Sequence, residues 1–418
     1  MLKKCIGLIL LCLMISCPAL ADEANASVDF AGRVTLNLHA NTVKQEVTVK
    51  TYVDGDTTHF LVPESVMEGG VLKARYLAIN TPEVTGKIEE YGKKAAQFTR
   101  EKLSNATSII IESDTETWNK DSTGDRYLVW VWYKQEGMEE YRNLNIEILQ
   151  NGLANPNAAK QNRYGDTCMA AVTHAREQKL NVFSGQKDPD FYYGDAVELT
   201  LRELRGNLET YNGIKVAFNG VITMNSNNSV FVEALDAETG KYFGMSVYYG
   251  FNLSGSGLEI LSVGNEVRIV GTVQYYEAGG TWQVSGLSYR GMKPKDPSNI
   301  QKISEGHSPA YVPVDPAAFA EMAEEAMATS VEMKNLTVVE AYTTQDADSS
   351  SHGAMTLSCM ANGTPIKLRT AVLQDENGAL ITQDMLLNKT LDVKGIVDYY
   401  EGEYQIKIFA WNAITIHP

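Results

Sequence analysis

From Glu46 the side chains alternate through Val47, Val49 and Thr51, and the alternation stops at Asp54-Gly55, the dipeptide of a tight hairpin turn. Thr57 to Val62 reads as the returning strand and Val71 to Ile79 as a further β run. After Pro82 the period changes. Ile88, Tyr91, Ala95 and Phe98 recur at three- and four-residue spacing, which predicts an amphipathic helix with Lys93, Lys94, Arg100 and Lys102 on its other face. Ser108 to Glu112 and Tyr127 to Tyr133 return to strand patterning, Leu144 to Asn151 and Asp166 to Lys179 to helix, and this first unit ends near Asp190.

A second unit opens with a short helix, Leu199 to Leu208, followed by strands near Ile214 to Thr223, Ser229 to Ala234, Phe243 to Tyr249, Glu266 to Tyr276 and Thr281 to Tyr289. Their spacing and Gly-rich turns point to a small barrel. A Pro-, Ser- and Lys-bearing stretch over 292–312 leads to Asp315-Pro316, an N-cap with a first-turn proline for a helix through Ala328. A third β-rich unit runs from Val331 to the end. GTVQYYEAG at Gly271 is echoed by GIVDYYEGE at Gly395, so the second and third units read as tandem copies of one small domain. The predicted organisation is a leader over 1–21, a lead-in over 22–44, domains over 45–190, 195–291 and 330–418, and a linker with helix over 292–329.

The leader prediction rests on Lys3 and Lys4 ahead of an apolar run that finishes at Ala19-Leu20-Ala21, the three parts of a secretory signal peptide. The run is short of the roughly 20 apolar residues a spanning helix needs, and Met14-Ile15-Ser16 is a poor lead-in for lipid attachment at Cys17. Export with cleavage after Ala21, and no stable membrane insertion, is therefore the expectation. Once Cys5, Cys12 and Cys17 leave with the leader, only Cys168 and Cys359 remain, which makes neither a disulfide framework nor a zinc site. The formal net charge of −16 argues against tight sequence-specific DNA binding, since polyanion affinity rests on Lys and Arg displacing counterions. An enzyme that releases its substrate needs only a local positive pocket, part of which a divalent cation can supply.

Candidate chemistry lies in the first unit, in a fixed order along the chain. Asp54-Gly55-Asp56-Thr57 comes first, then Arg75, Asn80-Thr81-Pro82-Glu83, Tyr91-Gly92-Lys93-Lys94-Ala95, Asp125-Arg126-Tyr127-Leu128, LNIEILQNGLA and KLNVFSG. Over Val47 to Gly185 this ordered set resembles the staphylococcal nuclease (thermonuclease) family. The resemblance implies an OB-type β-barrel carrying helices, a calcium ion at its mouth, and cleavage of the P–O5′ bond of DNA or RNA. Carried over by position, it makes Asp56 a direct calcium ligand, Asn80 the second side-chain ligand and Thr81 a carbonyl ligand. Glu83 takes the place of the general base, Arg75 and Arg126 those of the phosphate-holding arginines, and Asp54 and Thr57 support the ligands. The family's usual aspartate is an amide at Asn80, its base-stacking tyrosines have no counterpart in residues 154–160, and its Lys-Tyr pair has none in Ser122-Thr123-Gly124.

The residue types suit this chemistry independently. Phosphodiester hydrolysis consists mainly of neutralising phosphate oxygens and placing a water in line. Calcium takes carboxylate, amide and carbonyl oxygens, arginine's planar fork donates two parallel hydrogen bonds to phosphate, and a carboxylate accepts the water's proton. His59, and His174 with Cys168, read as strand and packing positions. The C-terminal half resembles the OB-fold modules that accompany nuclease-like domains in secreted bacterial proteins. The fold class expected is thus mainly β with helices (α+β), three OB-fold-like barrels in tandem. Tyr275, Tyr276, Trp282 and Tyr289, and in the repeat Tyr399, Tyr400, Tyr404 and Trp411, offer stacking surfaces for a single strand or contacts for a protein partner. Two other readings stay open: a nuclease-like binding module weakened at Asn80, and a cell-surface scaffold.

Overall fold

The computed structural model describes residues 28–418 except 85, 87, 124, 227, 251–252, 278, 292, 294, 346–350, 401 and 418; the expected leader and its three cysteines lie outside the described residues. Three closed five-stranded barrels follow one another. The first is built from β1 (Lys44–Tyr52), β2 (Thr57–Leu61), β3 (Val71–Tyr76), β4 (Ala106–Glu112) and β5 (Tyr127–Gln135). The second uses β6 (Lys215–Asn225), β7 (Ser229–Leu235), β8 (Tyr242–Tyr248), β9 (Glu266–Tyr276) and β10 (Thr281–Ser285). The third uses β11 (Ser330–Thr343), β12 (Met355–Ala361), β13 (Thr364–Thr370), β14 (Thr390–Tyr400) and β15 (Glu403–Ile408). In each barrel the first strand pairs with both the second and the fourth, and the third closes the ring by pairing in parallel with the fifth. This shared order and closure is the OB-type arrangement.

The repeat read from the sequence is a repeat of register. Tyr275 faces Trp282 across β9–β10 as Tyr399 faces Tyr404 across β14–β15. The glycine ahead of each run is required by close approach. A Cβ on Gly271 would lie 2.6 Å from Val284 Cγ1, and one on Gly395 2.5 Å from Ile406 Cγ2, so a larger residue at either would push the fourth strand off the fifth. The stretch between the barrels holds more β structure than its composition suggested. Gln301–Ser304 adds to β9, Val312–Pro313 adds to β11, and the helix expected through Ala328 is one 3-10 turn followed by Phe319–Met322. Asp315 does cap it, accepting from Ala317 N at 3.0 Å.

Helix α1 (Gly92–Ser104) starts later than the hydrophobic period suggested, because Tyr91 adopts a left-handed backbone with φ 65° and Glu89 N turns back to Glu83 O at 2.9 Å. The described residues from Thr81 to Tyr91 therefore form a loop rather than the first turns of a helix. Helices α2 (Leu144–Gln150) and α3 (Gly165–Glu177) cover one side of the barrel. No helix among the described residues is long and apolar enough to cross a membrane.

Trp130, Trp132 and Tyr133 fill the first core with Phe60, Leu72 and Ile111, and burial of side chains of this size contributes about 1.5–3 kcal/mol each. One carboxylate sits among them. Glu112, fully buried, accepts from Trp132 Nε1 at 2.9 Å and Thr42 Oγ1 at 2.6 Å and pairs with Arg163 at 3.0 Å and Lys44 at 3.4 Å. Glu112→Ala strands an indole N–H and two cations, so urea unfolding is expected to show a loss of about 3–5 kcal/mol.

Candidate active site

The turn between β1 and β2 is held by its own backbone: Val53 N and Asp54 N both donate to Thr57 O, at 3.1 and 3.2 Å, and Asp54 Oδ1 accepts from Asp56 N at 3.0 Å. Gly55 is there for space. A Cβ would lie 2.8 Å from Thr81 Cγ2 and 2.9 Å from Ala95 Cβ, so only glycine lets the turn sit between the 81–91 loop and α1. Thr99 Oγ1 on α1 fixes it by donating to Gly55 O at 2.6 Å. The Asp54-Gly55 pair is thus both hairpin chemistry and the means of pressing Asp56 into the site.

Arg75 lies opposite Thr57 in the β2–β3 register, which brings its guanidinium beside the turn. Its NH1 forms an ion pair with Asp56 Oδ1, and its NH2 donates to Asn80 Oδ1 at 2.5 Å. The remaining contacts of Asp56 come from Thr57 Oγ1 at 3.1 Å and Thr81 N at 2.8 Å. Two oxygen-bearing side chains, Asp56 and Asn80, therefore converge on one positive charge, with Thr81 alongside. Burial raises the Asp54 carboxyl above the usual range, against the pull of Arg75. Asn80 owes its place to the short pair Ile79–Asn80 with Asn155–Pro156, so the segment that lacks the family's tyrosine serves here as backing for Asn80.

Glu83 stands in the loop, exposed, with its backbone tied to Glu89. Partial loss of water, then the neighbouring Asp54 charge, raise its carboxyl above the ordinary value, and Arg75 opposes this. Arg126, just before β5, reaches Asp121 Oδ2 through Nε at 2.8 Å and NH2 at 2.7 Å. Its charge acts on Arg75, Asp54 and Glu83 together. Contacts thus join Asp54, Asp56, Thr57, Arg75, Asn80 and Thr81, and Glu83 and Arg126 lie near enough for their charges to act on Arg75.

No group of three or more His, Cys, Asp or Glu side chains suited to a metal occurs among the described residues. The oxygens that do converge are the Asp56 carboxylate and the Asn80 amide oxygen, which suit a hard cation such as calcium, while Thr81 meets them through its N–H. Asn80 supplies geometry without charge.

Residues 73–185 match the family model for staphylococcal nuclease homologues. The first barrel carries a staphylococcal nuclease homologue domain. The match spans Arg75, Asn80, Thr81, Glu83 and Arg126 and opens after the Asp54–Thr57 turn. Among curated proteins, the thermonuclease of Staphylococcus intermedius is 29% identical over 139 residues, 32% of this chain and 74% of that protein. The thermonuclease of Staphylococcus hyicus is 28% identical over 149 residues, 35% of this chain and 79% of its own length. Both similarities cover about a third of the chain.

Several residues that organise this nuclease homologue domain gave no signal in the sequence. Asp121 holds Arg126, and hydrogen bonds from Thr123 and Arg126 outweigh its partial burial to keep its carboxyl below the ordinary value. Asn145, fully buried on α2, accepts from Val131 N at 2.9 Å and donates to Leu77 O at 2.9 Å and Val129 O at 3.0 Å, tying the chain after β3 to β5. The second barrel also reaches the site: Gln274 Nε2 donates to Val84 O, one residue from Glu83, and Glu277 pairs with Arg100 of α1. Much of the basic face expected on α1 is likewise spent, since Lys102 pairs with Glu147 at 3.1 Å and Lys94 binds Asn181 at 2.7 Å. His174 packs on Phe30, ring centroids 5.5 Å apart, while Cys168 and Cys359 are free and buried with thiols pushed up to about 12.

Proposed function

We propose that this chain is an exported, calcium-dependent nuclease that hydrolyses phosphodiester bonds of DNA or RNA, its leader being removed after Ala21. The observation that carries the reading is the convergence of Asp56, Asn80, Arg75, Glu83 and Arg126 at the mouth of a staphylococcal nuclease homologue barrel. Asp56, Asn80 and the Thr81 carbonyl would hold the cation, and Asp54 and Thr57 would fix Asp56. When bound, calcium supplies positive charge opposite the phosphate oxygens.

The chain's own residues do the rest. Arg75 exchanges Asp56 and Asn80 oxygens for phosphate oxygens, and Arg126, steadied by Asp121, grips the phosphate from the second side. Glu83 accepts the proton of the attacking water. The water oxygen bonds to phosphorus, the P–O5′ bond breaks, and the departing oxygen takes a proton from solvent to become a 5′-hydroxyl, leaving a 3′-phosphate, while Glu83 returns the proton it accepted to solvent. A carboxyl raised above its ordinary value is a better base once ionised.

Incubating the mature protein with single-stranded DNA and with RNA, in calcium and in chelator, tests this. Cleavage in calcium alone is expected; none in either condition removes the enzyme reading. The second reading is a nucleic-acid-binding module without turnover, and the neutral Asn80 favours it. Asn80→Asp adds a charged ligand, so calorimetry is expected to show calcium affinity raised about tenfold, ligand charge being one of the terms that set it. Unchanged affinity would place Asn80 outside the metal site. The exposed Tyr275, Tyr276 and Tyr400 keep single-strand or protein contacts by the C-terminal barrels as part of the proposal.

A further inference from the structure

A groove of about 1850 Å³ opens between the second and third barrels, and no residue of the first barrel lines it. It is larger than the roughly 300–1000 Å³ of a small-molecule site, so its size suits a length of polymer. One end is aromatic. The equivalent hairpins β9–β10 and β14–β15 bring in two ring pairs, Tyr275 with Trp282 at 5.2 Å and Tyr399 with Tyr404 at 4.9 Å between centroids. The pairs adjoin each other, because Gly280, at the tip of the first hairpin, lies against the ring of Tyr399.

The rest of the groove is acidic. Seven carboxylates line it against two arginines, and two of the seven are paired with cations beside the groove, Glu198 with Arg268 and Glu325 with Lys241. Arg202 pairs with Glu238 at 2.6 Å and Asp236 at 3.5 Å, while Arg205 donates to the Glu324 carbonyl at 2.8 Å and keeps a buried Nε without a hydrogen-bond partner. The carboxylates of Glu321 and Glu324, both exposed, take part in no ion pair among the described residues. Glu324 is also close enough to Tyr404 for its charge to add to burial in raising the tyrosine's pKa.

Aromatic faces beside unpaired carboxylates form a cation-recognition surface, since the ring quadrupole and the carboxylate attract the same ligand. A polynucleotide would stack on the rings but meet repulsion along the acidic wall. A neutral glycan would use the rings and gain nothing from the carboxylates. We propose that this groove binds a lysine- or arginine-bearing peptide segment of a partner protein, its cationic side chains reaching Glu321, Glu324 and the rings of Tyr275, Trp282, Tyr399 and Tyr404.

Fluorescence anisotropy on the full mature chain tests it, with a dye-labelled peptide alternating lysine and glycine as probe. A glutamate–glycine peptide, a neutral oligosaccharide and labelled oligo-dT serve as comparisons, with chelator present to keep the DNA intact. Saturable binding of the lysine peptide and not of the glutamate–glycine peptide or the oligosaccharide is expected, weakened about tenfold or more by Glu321→Gln/Glu324→Gln and by Trp282→Ala, while any oligo-dT binding, at the nuclease mouth, should be unchanged by these variants. Tyr275→Ala, at an exposed position, should weaken it too and guards against a folding defect. The proposal is overturned if the lysine peptide does not saturate, if these variants bind it as well as the wild type, or if oligo-dT binds and Trp282→Ala abolishes that binding.

Discussion

Glu83→Gln is expected to slow oligonucleotide cleavage by about 10²- to 10⁴-fold, the usual contribution of a positioned general base. The glutamine keeps the size and polarity of the side chain but has no lone pair basic enough to take a proton from water. Because Glu83 is exposed and its loop is held by backbone contacts with Glu89, the variant should fold and bind calcium as the wild type does. The loss should therefore appear in kcat rather than in metal affinity. The pH dependence has a defined sign. Partial burial and the Asp54 charge raise the carboxyl above the ordinary glutamate range and it works only when ionised, so wild-type cleavage should fall as pH drops through that raised value. The residual activity of Glu83→Gln should lack that step. Cleavage by Glu83→Gln at the wild-type rate would remove Glu83 from the mechanism.

Arg75→Ala is expected to act on both stability and turnover. In chelator, removing the guanidinium leaves Asp56, 1% exposed, without its counter-charge, and breaking a buried pair in this way costs about 3–5 kcal/mol. Calcium should restore part of that loss, because a cation between Asp56 and Asn80 meets the same oxygens that Arg75 met, and a ligand bound only by the folded state stabilises it. Cleavage should stay low even in calcium, by about 10²- to 10³-fold, since no fork remains to grip the phosphate. Thermal unfolding with and without calcium separates the two effects. If calcium leaves the melting temperature of Arg75→Ala unchanged, Asp56 and Asn80 are not its ligands.

The parts of this molecule written in local pattern were legible before the structure. Alternation marked the strands, and the Gly271 and Gly395 runs marked the repeat because one packing requirement, a fourth strand crossing a fifth without room for a Cβ, recurs in both barrels. The ordered motifs from Asp54 to Thr81 named residues that touch one another, since a hairpin turn and a strand end each leave a sequence mark. What stayed hidden depends mostly on distant partners. Nothing local says that Asn145 on an apolar helix satisfies the backbone of Leu77 and Val129, and the Asp121–Arg126 pair, though only five residues apart, needs the loop's fold to bring it together. The late start of α1 was hidden for a related reason: hydrophobic period ran on through Ile88, while a positive φ at Tyr91 ended the loop. The short strands that the 292–329 stretch adds to its neighbouring barrels gain their pairing from those barrels, not from their own composition.

The central claim is that one constellation at the first barrel's mouth hydrolyses the P–O5′ bond with calcium. Mass spectrometry of a short single-stranded oligonucleotide incubated with the mature protein, in calcium and in chelator, tests it most directly. Fragments ending in 3′-phosphate, formed in calcium and absent in chelator, are the predicted result. Fragments ending in 3′-hydroxyl, or the same fragments in chelator, would contradict it.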